Sequence, residues 1–381
     1  MKDELETYLE YFDEVELVKE CDGYFYNVHD MLKVFVIGLL CGLKNMHEIH
    51  EWANEKTIFA FLENRFGITK LPSYYWFTCL LKTINIDSLN KCFMNLAHEL
   101  IEQARTNSPD KGDETTIAID GKTIRSTDKM HDYDSPLHIV SALVAEQGIT
   151  IAQKAVRGKT NEIPIVQELI KELDIRGKTV VADALHCQKK TAQAIIEGKG
   201  EYLLSVKSNQ LCLYQDIAEY VNDNELRDKM NCDQTSEKNR DRFERRIAYT
   251  TTDIGWLDQK EEWKNLRCIG AIHSQFKTKN QTSEEWHYYI SSQPLTAQEL
   301  LKTARKEWSV ETMHWLLDVH FYEDMCRVHD ATIQQVCNMG RKIALNLIKT
   351  YKQKTNSKSS LKSIMLKALI NPSFILKILQ T

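Results

Sequence analysis

Apolar positions near the start of the chain recur at steps of three and four residues, in VFVIGLLCGL and in IHEWANEKTIFAFLENRF. This spacing places apolar side chains on one face of a helix. LPSYYWF then breaks the pattern, and a polar stretch rich in turn formers, TNSPDKGDE (106–114), follows it. We therefore expect an all-helical N-terminal domain at residues 1–105, with a domain boundary in the polar stretch.

Beyond this boundary, short β-branched runs alternate with amphipathic segments, which predicts an α/β domain over residues 106–381. Asn161 is placed to cap a helix between the third and fourth strands, with Ile163, Val166, Ile170 and Leu173 on its apolar face. KKTAQAIIEG and LCLYQDIAEYV are also predicted helices, so β-α-β crossovers result. The predicted strands are TTIAID (115–120), two strands in HIVSALVAEQGITIAQKAV (138–156) joined at a Gln-Gly turn, TVVADAL (179–185) and YLLSVK (202–207).

A region with little helical period follows, at about residues 236–292. Its segments FERRIAYTT, LRCIGAI and EEWHYYISS are aromatic or β-branched, and we expect them to be strands inserted into the α/β core. Thr296 and Glu299 then form a predicted capping box that opens a long helix containing Glu311.

Composition narrows the class of protein. With 43% hydrophobic and 27% charged residues in 381, the chain can bury a large core, and its length suggests two or three domains. The longest apolar run, 31–43, is shorter than a membrane span, and the acidic N-terminus lacks the apolar segment of a signal peptide. Ten scattered cysteines form no CxxC pair, so we expect neither a zinc ribbon nor a disulfide framework. We expect the protein to be located in a reducing cytoplasm.

The net charge of −5 argues against a nucleic-acid partner, but its distribution is uneven. From Arg341 to the end, a stretch predicted to be a basic helical tail (about 341–381) carries nine Lys or Arg and no acid. That tail is either a solvated helix face or a phosphate-binding surface.

Acidic residues follow two predicted strands. Asp120 ends one and Asp183 lies near the end of another, and ligands of open α/β sheets collect outside such strand ends. Carboxylates from separate elements suit Mg²⁺, and paired cations about 3.5–4 Å apart support phosphoryl transfer. An Asp after a strand also often caps the next helix, and a helical Glu is often merely solvated, so the residues alone leave both interpretations open.

Six segments in order resemble the motifs of a bacterial insertion-sequence transposase family, the one that includes the H-repeat-associated proteins of Rhs elements. The resemblance covers nearly the whole chain, because the N-terminal helical part also resembles that family's associated domain. The segments are AIDGKTIR (118–125), LHIVSALVAEQG (137–148), KTNEI (159–163), VVADALHCQKKTA (180–192), YLLSVKSNQ (202–210) and ETMHWLLDVHFYEDMCR (311–327).

The resemblance implies a catalytic triad of Asp120, Asp183 and Glu311 on a ribonuclease-H-like fold, with the β-rich stretch as an insertion before the last catalytic helix. It implies two Mg²⁺ or Mn²⁺ ions held by these acids. The implied reaction is metal-dependent cleavage of an element end, after which the freed 3′-hydroxyl attacks target DNA. The expected partners are double-stranded DNA at terminal inverted repeats and target DNA, with no membrane. We also expect a homodimer on DNA and a cytoplasmic, nucleoid-associated location in bacteria.

Further residues are candidates for DNA contact. Lys122, Arg125 and Lys207 are candidates for phosphate contact, and Asn209 with Gln210 either contact DNA or only form a turn. Basic side chains in the insertion and one aromatic side chain in the long helix complete the set: Arg242, Arg245, Arg246 and Trp308.

The chain departs from the family pattern at three positions. Glu307 stands where His usually precedes Trp308, Asp241 replaces a Gly, and Thr312 replaces an Asn. Glu307 and Glu311 lie four residues apart on one helical face, where like charges repel by roughly a few tenths of a kcal/mol unless a cation lies between them. These departures motivate an alternative to an active transposase, a catalytically silent DNA-binding relic or accessory protein derived from one. A stand-alone metal nuclease is a third possibility.

Overall fold

A single nine-stranded mixed sheet forms the centre of the molecule, in the order β3-β2-β1-β4-β5-β9-β8-β7-β6. The computed structural model describes residues 7–18, 25–106, 115–127, 136–157, 162–239, 242–278 and 281–380. Strands β1, β4 and β5 are parallel, and every other neighbouring pair is antiparallel. The strands are β1 (Thr116–Thr123), β2 (Leu137–Val144), β3 (Ile149–Arg157), β4 (Thr179–Ala182), β5 (Glu201–Val206), β6 (Asn231–Asn239), β7 (Arg242–Thr251), β8 (Cys268–Lys277) and β9 (Thr282–Ser291).

Helices cover both faces of the sheet. The helices are α1 (Val28–Leu40), α2 (Met46–Asn54), α3 (Lys56–Phe66), α4 (Tyr74–Leu81), α5 (Ile86–Thr106), α6 (Glu162–Glu172), α7 (Lys189–Glu197), α8 (Leu211–Asn222), α9 (Asn224–Arg227), α10 (Ala297–Phe321), α11 (Ala331–Lys354), α12 (Leu361–Ile370) and α13 (Pro372–Leu379). No helix in the described ranges is both long and apolar enough to span a bilayer.

The sheet separates two large hydrophobic cores, one on each of its faces. The first contains apolar side chains of α1–α5 and α10–α13 together with one face of the strands, and the second packs α6, α7 and α8 on the opposite face. Alternation along β1 shows the division, because Ala118 lies in the first core while Ile117 and Ile119 lie in the second. We call the first the α10 face and the second the α6 face.

The segments predicted to be strands of the α/β part are all present. The Gln-Gly turn between β2 and β3 is confirmed, with Gly148 at φ 66°, a conformation that glycine adopts at little cost. The capping box is also confirmed, since Thr296 Oγ1 accepts from the amide of Glu299 and the Glu299 carboxylate accepts from the amide of Thr296. Asn161 and residues 107–114 of the predicted boundary lie outside the described residues.

The structure corrects three expectations. The β-rich region has four strands rather than three, because NCDQTSEKN forms the edge strand β6, whose polar composition hides it from a hydrophobicity pattern. These strands continue the main sheet through the β5–β9 pairing. LPSYYWF is also not a simple break, since α4 begins at Tyr74.

The basic tail begins in the core. Arg341 and Lys342 are 3% and 1% exposed on α11. For these two residues, both interpretations of the tail, as a solvated helix face and as a phosphate-binding surface, are therefore wrong. Lys342 Nζ donates to Ser141 Oγ and Gln153 Oε1 at 2.8 and 2.6 Å, so its buried amino group has two hydrogen-bond partners. Exposed lysines of the tail occur only further along, at Lys358, Lys362, Lys367 and Lys377.

Candidate active site

The register of two parallel strands brings the first two predicted acids side by side. Ile119 of β1 is level with Ala182 of β4, so Asp120 and Asp183 are the next residues along neighbouring strands. Neighbouring strands lie about 4.8 Å apart, and residues level with each other in this way project to the same face. Ala118 and Val181, two residues before each acid, belong to the core of the α10 face. Both carboxylates therefore lie on that face of the sheet.

Helix α10 adds two further carboxylates to the same place. It packs across β1 and β4, and Glu307 and Glu311 are one turn apart on one side of the helix. Burial, then the charges of Asp183 and Glu311, raise the pKa of Glu307 to about 7. Burial and Asp183 raise the pKa of Glu311, whereas Lys207 lowers it. Four acids thus repel one another in a partly desolvated cleft.

Asp120 is the other strongly perturbed acid of this cluster. Burial and then Asp183 raise its pKa to about 6, with Glu162 and Glu311 contributing and the amide of Gly121 opposing. Asp183 is more exposed, at 49% of its side chain, and its carboxylate accepts from the amide of His186. Asp183 therefore also caps the short 3-10 turn that follows β4, the simpler role that its position after a strand suggested.

A buried cluster of one carboxylate and two imidazoles lies behind the acids, on the α6 face. Glu162 Oε1 is 2.9 Å from His186 Nε2, and Glu162 Oε2 is 2.8 Å from His138 Nε2. Burial alone would raise the pKa of Glu162, but hydrogen bonding to His138 and His186 lowers it to about 2. All three residues are at most 2% exposed. The cluster links α6, β2 and the turn after Asp183.

Gly121 explains part of the motif that carries Asp120. A Cβ atom at position 121 would overlap the Glu162 carboxylate and the His138 ring. Side chains alternate between faces along β1, so Asp120 and Lys122 both project to the α10 face. Gly121 between them faces the other side, and its lack of a side chain leaves room for the Glu162 cluster. Glu162, His138 and His186 all lie in the family-like segments of the sequence, but nothing in their spacing indicated that the three side chains meet.

Lys122 and Arg125 are differently placed. The Lys122 ammonium contacts Asp318, Glu323 at 2.8 Å and Asp324 at 3.5 Å, and its side chain is 13% exposed. Those carboxylates raise the pKa of Lys122 although burial would lower it. In this structure Lys122 ties β1 to the end of α10, whereas the Arg125 side chain is 87% exposed beside Asp324.

The segment after β5 combines an exposed lysine with two side chains that hold a turn. Lys207 lies close enough to Glu307 and Glu311 to lower the pKa of both. Asn209 Nδ2 donates to the carbonyl of Ala184 at 2.6 Å, and Gln210 Nε2 donates to that of Cys187 at 3.0 Å. Asn209 and Gln210 therefore hold the turn that follows Asp183, a role that the sequence did not indicate.

The three arginines of β7 divide between the two faces. Ala248 belongs to the first core and Tyr249 is packed against the second, so alternation places Arg242 and Arg246 on the α10 face and Arg245 on the α6 face. Arg246 pairs with Glu244, while Arg245 donates to Gln234 Oε1 at 2.6 and 3.0 Å. Trp308, next to Glu307, is 64% exposed.

The carboxylates of this cluster are of the chemical type that binds a hard divalent cation. Carboxylate oxygens are the ligands that Mg²⁺ and Mn²⁺ prefer, and a cation would relieve the repulsion that raises the pKa of Asp120 and Glu307. Within the described ranges, however, no three His, Cys, Asp or Glu side chains are close enough together to hold a metal ion. The acids face one another without being arranged as ligands.

The paired strand-end acids and the acidic helix are consistent with the class of proteins that catalyse phosphoryl transfer on DNA. Residues 111–347 match the family described as Transposase DDE domain, and residues 9–97 match the family described as DDE_Tnp_1-associated. The first match spans more than half of the chain, which therefore belongs to the DDE transposase family.

Named relatives agree with this family. "Putative transposase YncI" of Escherichia coli O157:H7 is 28% identical over 98% of this chain and 95% of its own length. "H repeat-associated putative transposase YhhI" of E. coli strain K12 is 28% identical over 93% of this chain and 92% of its own length. Among solved structures, a piggyBac transposase synaptic complex with hairpin DNA has a TM-score of 0.45 and 12% identity, over 97% of this chain and 79% of that one.

Proposed function

We propose that this protein is an active DNA transposase that cleaves the ends of an insertion element and joins the freed 3′-hydroxyl to target DNA. The observation that carries the proposal is the position of Asp120 and Asp183, which are level at the ends of parallel strands, beside the helix that carries Glu311. Burial and the charge of Asp183 raise the pKa of Asp120 to about 6, which shows that these acids repel one another. Building such a cluster costs stability, and a site for divalent cations accounts for it.

Asp120, Asp183 and Glu311 would hold two Mg²⁺ or Mn²⁺ ions in this proposal. When bound, such ions generate a nucleophile from water or a hydroxyl and stabilise the leaving oxygen of a phosphodiester. The proposal requires the carboxylates to close on the cations from their present positions. Glu307 adds a fourth carboxylate, and the buried Glu162 cluster fixes the turn that positions Asp183.

The proposed DNA path runs over the α10 face. Lys207, Arg246 and Arg242 lie on that face between the acids and the far edge of the sheet, and Arg125 and Trp308 are exposed beside it. Cations of this kind neutralise phosphates, and an exposed indole can stack on a base. Element ends and target DNA are the proposed partners, and a homodimer is the proposed state on DNA.

We assign strands β1–β5 with α6, α7 and α10 to a ribonuclease-H-like core. The assignment is supported by the order of the acids, on β1, just after β4, and on the helix that follows the inserted strands β6–β9. The proposed domains are residues 1–105 and 106–381, with the insertion and the C-terminal helices as parts of the second.

The test is cleavage of duplex DNA carrying the ends of the element that encodes the gene, with Mg²⁺ or Mn²⁺. We expect Asp183→Asn to reduce nicking by roughly a hundred-fold or more, because ligation of a catalytic cation is worth several kcal/mol. The matched control is Asp258→Asn, an exposed acid of the insertion, which should nick like the wild type.

Two outcomes would replace the proposal. If the wild type binds these ends yet neither it nor Asp183→Asn nicks them, the protein is a silent DNA-binding relic. If the wild type hydrolyses DNA in an Asp183-dependent way but never joins ends, it is a metal nuclease.

A further inference from the structure

His314 is a buried histidine at the acidic cleft that the three-acid scheme does not use. It lies on α10, one turn after Glu311, and is 8% exposed. Its Nε2 atom is 3.7 Å from Asp120 Oδ2, which is close enough for electrostatic contact but too long for a hydrogen bond. Within the part of the chain that the structure describes, neither ring nitrogen has a hydrogen-bond partner.

An imidazole in this state is costly. Burying a polar group without a partner costs on the order of 1–3 kcal/mol, so such groups in native proteins usually serve a ligand or a reaction. A neutral imidazole carries a lone pair on one of its ring nitrogens, and that lone pair can bind a metal cation.

The cationic groups near His314 already have partners of their own. Lys342 donates to Ser141 and Gln153, and Lys122 contacts three carboxylates. On the opposite face, His138 and His186 both contact Glu162. His314 thus brings to the cleft an imidazole whose two nitrogens have no hydrogen-bond partner among the described residues.

The position of His314 on α10 also points it at the acids. Glu307, Glu311 and His314 follow one another at i, i+4 and i+7, so they lie on one side of the helix. Glu307 lies towards Lys207, and His314 lies at the Asp120 end of the row. A cation next to Asp120 would therefore have an imidazole nitrogen within reach on its helix side.

We propose that His314 is a nitrogen ligand of the divalent cation bound at Asp120. The ligands of that cation would then include an imidazole as well as carboxylates. The proposal rests on the proposed metal-dependent function. Imidazole favours later first-row metals, whereas oxygen-only sites suit Mg²⁺. The site should consequently prefer Mn²⁺ over Mg²⁺, and His314→Gln should reduce that preference, on the order of ten-fold.

Pulsed electron paramagnetic resonance of the full-length protein with Mn²⁺ alone tests the assignment. The wild type should show modulation from a directly bound ¹⁴N nucleus, and His314→Gln should lose it while still binding Mn²⁺. His320→Gln is the matched control, because His320 is a partly exposed residue nearly two turns further along the same helix, and it should retain the signal. In wild-type protein with ¹⁵N-labelled histidine, modulation from ¹⁵N should replace that from ¹⁴N. This measurement needs no substitution, so it does not depend on whether a variant folds.

The outcomes separate this assignment from the proposed function. Mn²⁺ that binds in an Asp120-dependent way without nitrogen modulation, or modulation that persists in His314→Gln, overturns the role of His314 and leaves the carboxylate site intact. Wild-type protein that binds no Mn²⁺ overturns the metal-dependent function and the assignment together.

Discussion

Single residues at the cleft show how closely the motifs are packed. Gly121 separates Asp120 from the Glu162 cluster, since any side chain at 121 would enter the space of the Glu162 carboxylate and the His138 ring. Both of those groups are buried and fixed by contacts to each other. Neither can rotate away without breaking their contact in the core.

Gly121→Ala should therefore destabilise the protein by about 1–3 kcal/mol, the usual cost of overfilling a packed core. Gly255→Ala is the control, because a Cβ atom there meets nothing within 4 Å. Urea unfolding followed by circular dichroism measures both. An equal midpoint for Gly121→Ala and the wild type would show that the cluster is not packed against residue 121.

A second residue-scale prediction concerns the buried Lys342. Burial lowers its pKa to about 7, whereas an unfolded lysine titrates near 10.5. Between these values the unfolded chain binds the proton and the folded chain does not, so Lys342 makes the unfolding free energy rise with pH from about 7 towards 10.5. The slope for one such group is at most about 1.4 kcal/mol per pH unit.

Lys342→Met removes this titration at similar side-chain volume. The difference in unfolding free energy, wild type minus variant, should increase between pH 7 and pH 9 in urea titrations. A difference that is constant over this range would mean that Lys342 keeps its proton in the folded state.

At the scale of elements, helix α10 sets the position of Glu307, Glu311 and His314. Its start was predictable, because a capping box has a recognisable four-residue signature, and Thr296 and Glu299 form it as expected. Strand β6 was not predictable, because NCDQTSEKN lacks β-branched alternation and pairs only as an edge strand. Local signals were sufficient for α10, whereas β6 depends on its neighbour β7.

Thr296→Ala should destabilise the protein by about 1 kcal/mol through loss of the hydroxyl that caps the helix. Thr296→Ser keeps the hydroxyl and should stay close to the wild type. Thermal unfolding of the two variants side by side tests this. Equal losses for Ala and Ser would assign the effect to the methyl group instead of the cap.

Strand alternation in β7 makes a prediction about DNA. Arg246 lies on the face shared with the acids and Arg245 on the opposite face, so only Arg246 should contact a phosphate there. Arg246→Ala should weaken DNA binding and lower the slope of log affinity against log salt by about 0.9, the value for one phosphate contact. Arg245→Ala should leave the slope unchanged, and fluorescence anisotropy over a salt series measures both. Equal slopes for the two variants would place the DNA elsewhere.

At the scale of the whole molecule, the motifs predict which acids form the candidate site, but they do not predict what surrounds those acids. Asp120 and Asp183 are level because β1 and β4 pair in a parallel register, which a predicted β-α-β crossover already implies. Glu162 meets His138 and His186 only because α6 packs over that end of the sheet. The burial of Arg341 and Lys342 is likewise a tertiary effect, since charge composition alone suggests a surface.

The same long-range packing joins the two ends of the chain. One hydrophobic core extends from Tyr8 to Leu379, and helices α1 and α5 pack directly on α11. Phe35 of α1 lies against Gly340 of α11, where an added Cβ atom would be 2.8 Å from the Phe35 ring. Separate units would unfold separately, but elements that share a core lose stability together.

Phe35→Ala, which empties a fully buried site, should cost about 3–5 kcal/mol. Because the core is shared, this loss should reach α11 and the sheet as well as α1. Hydrogen exchange with peptide-resolved mass spectrometry is the measurement, with protection expected to fall by the same free energy in residues 28–40, 179–206 and 331–354. Trp256→Ala, at a side chain 37% exposed beyond β7, is the control and should leave all three segments protected. Loss of protection confined to residues 28–40 would show that the N-terminal helices unfold on their own, because in that case the core they share with α11 would not transmit the change.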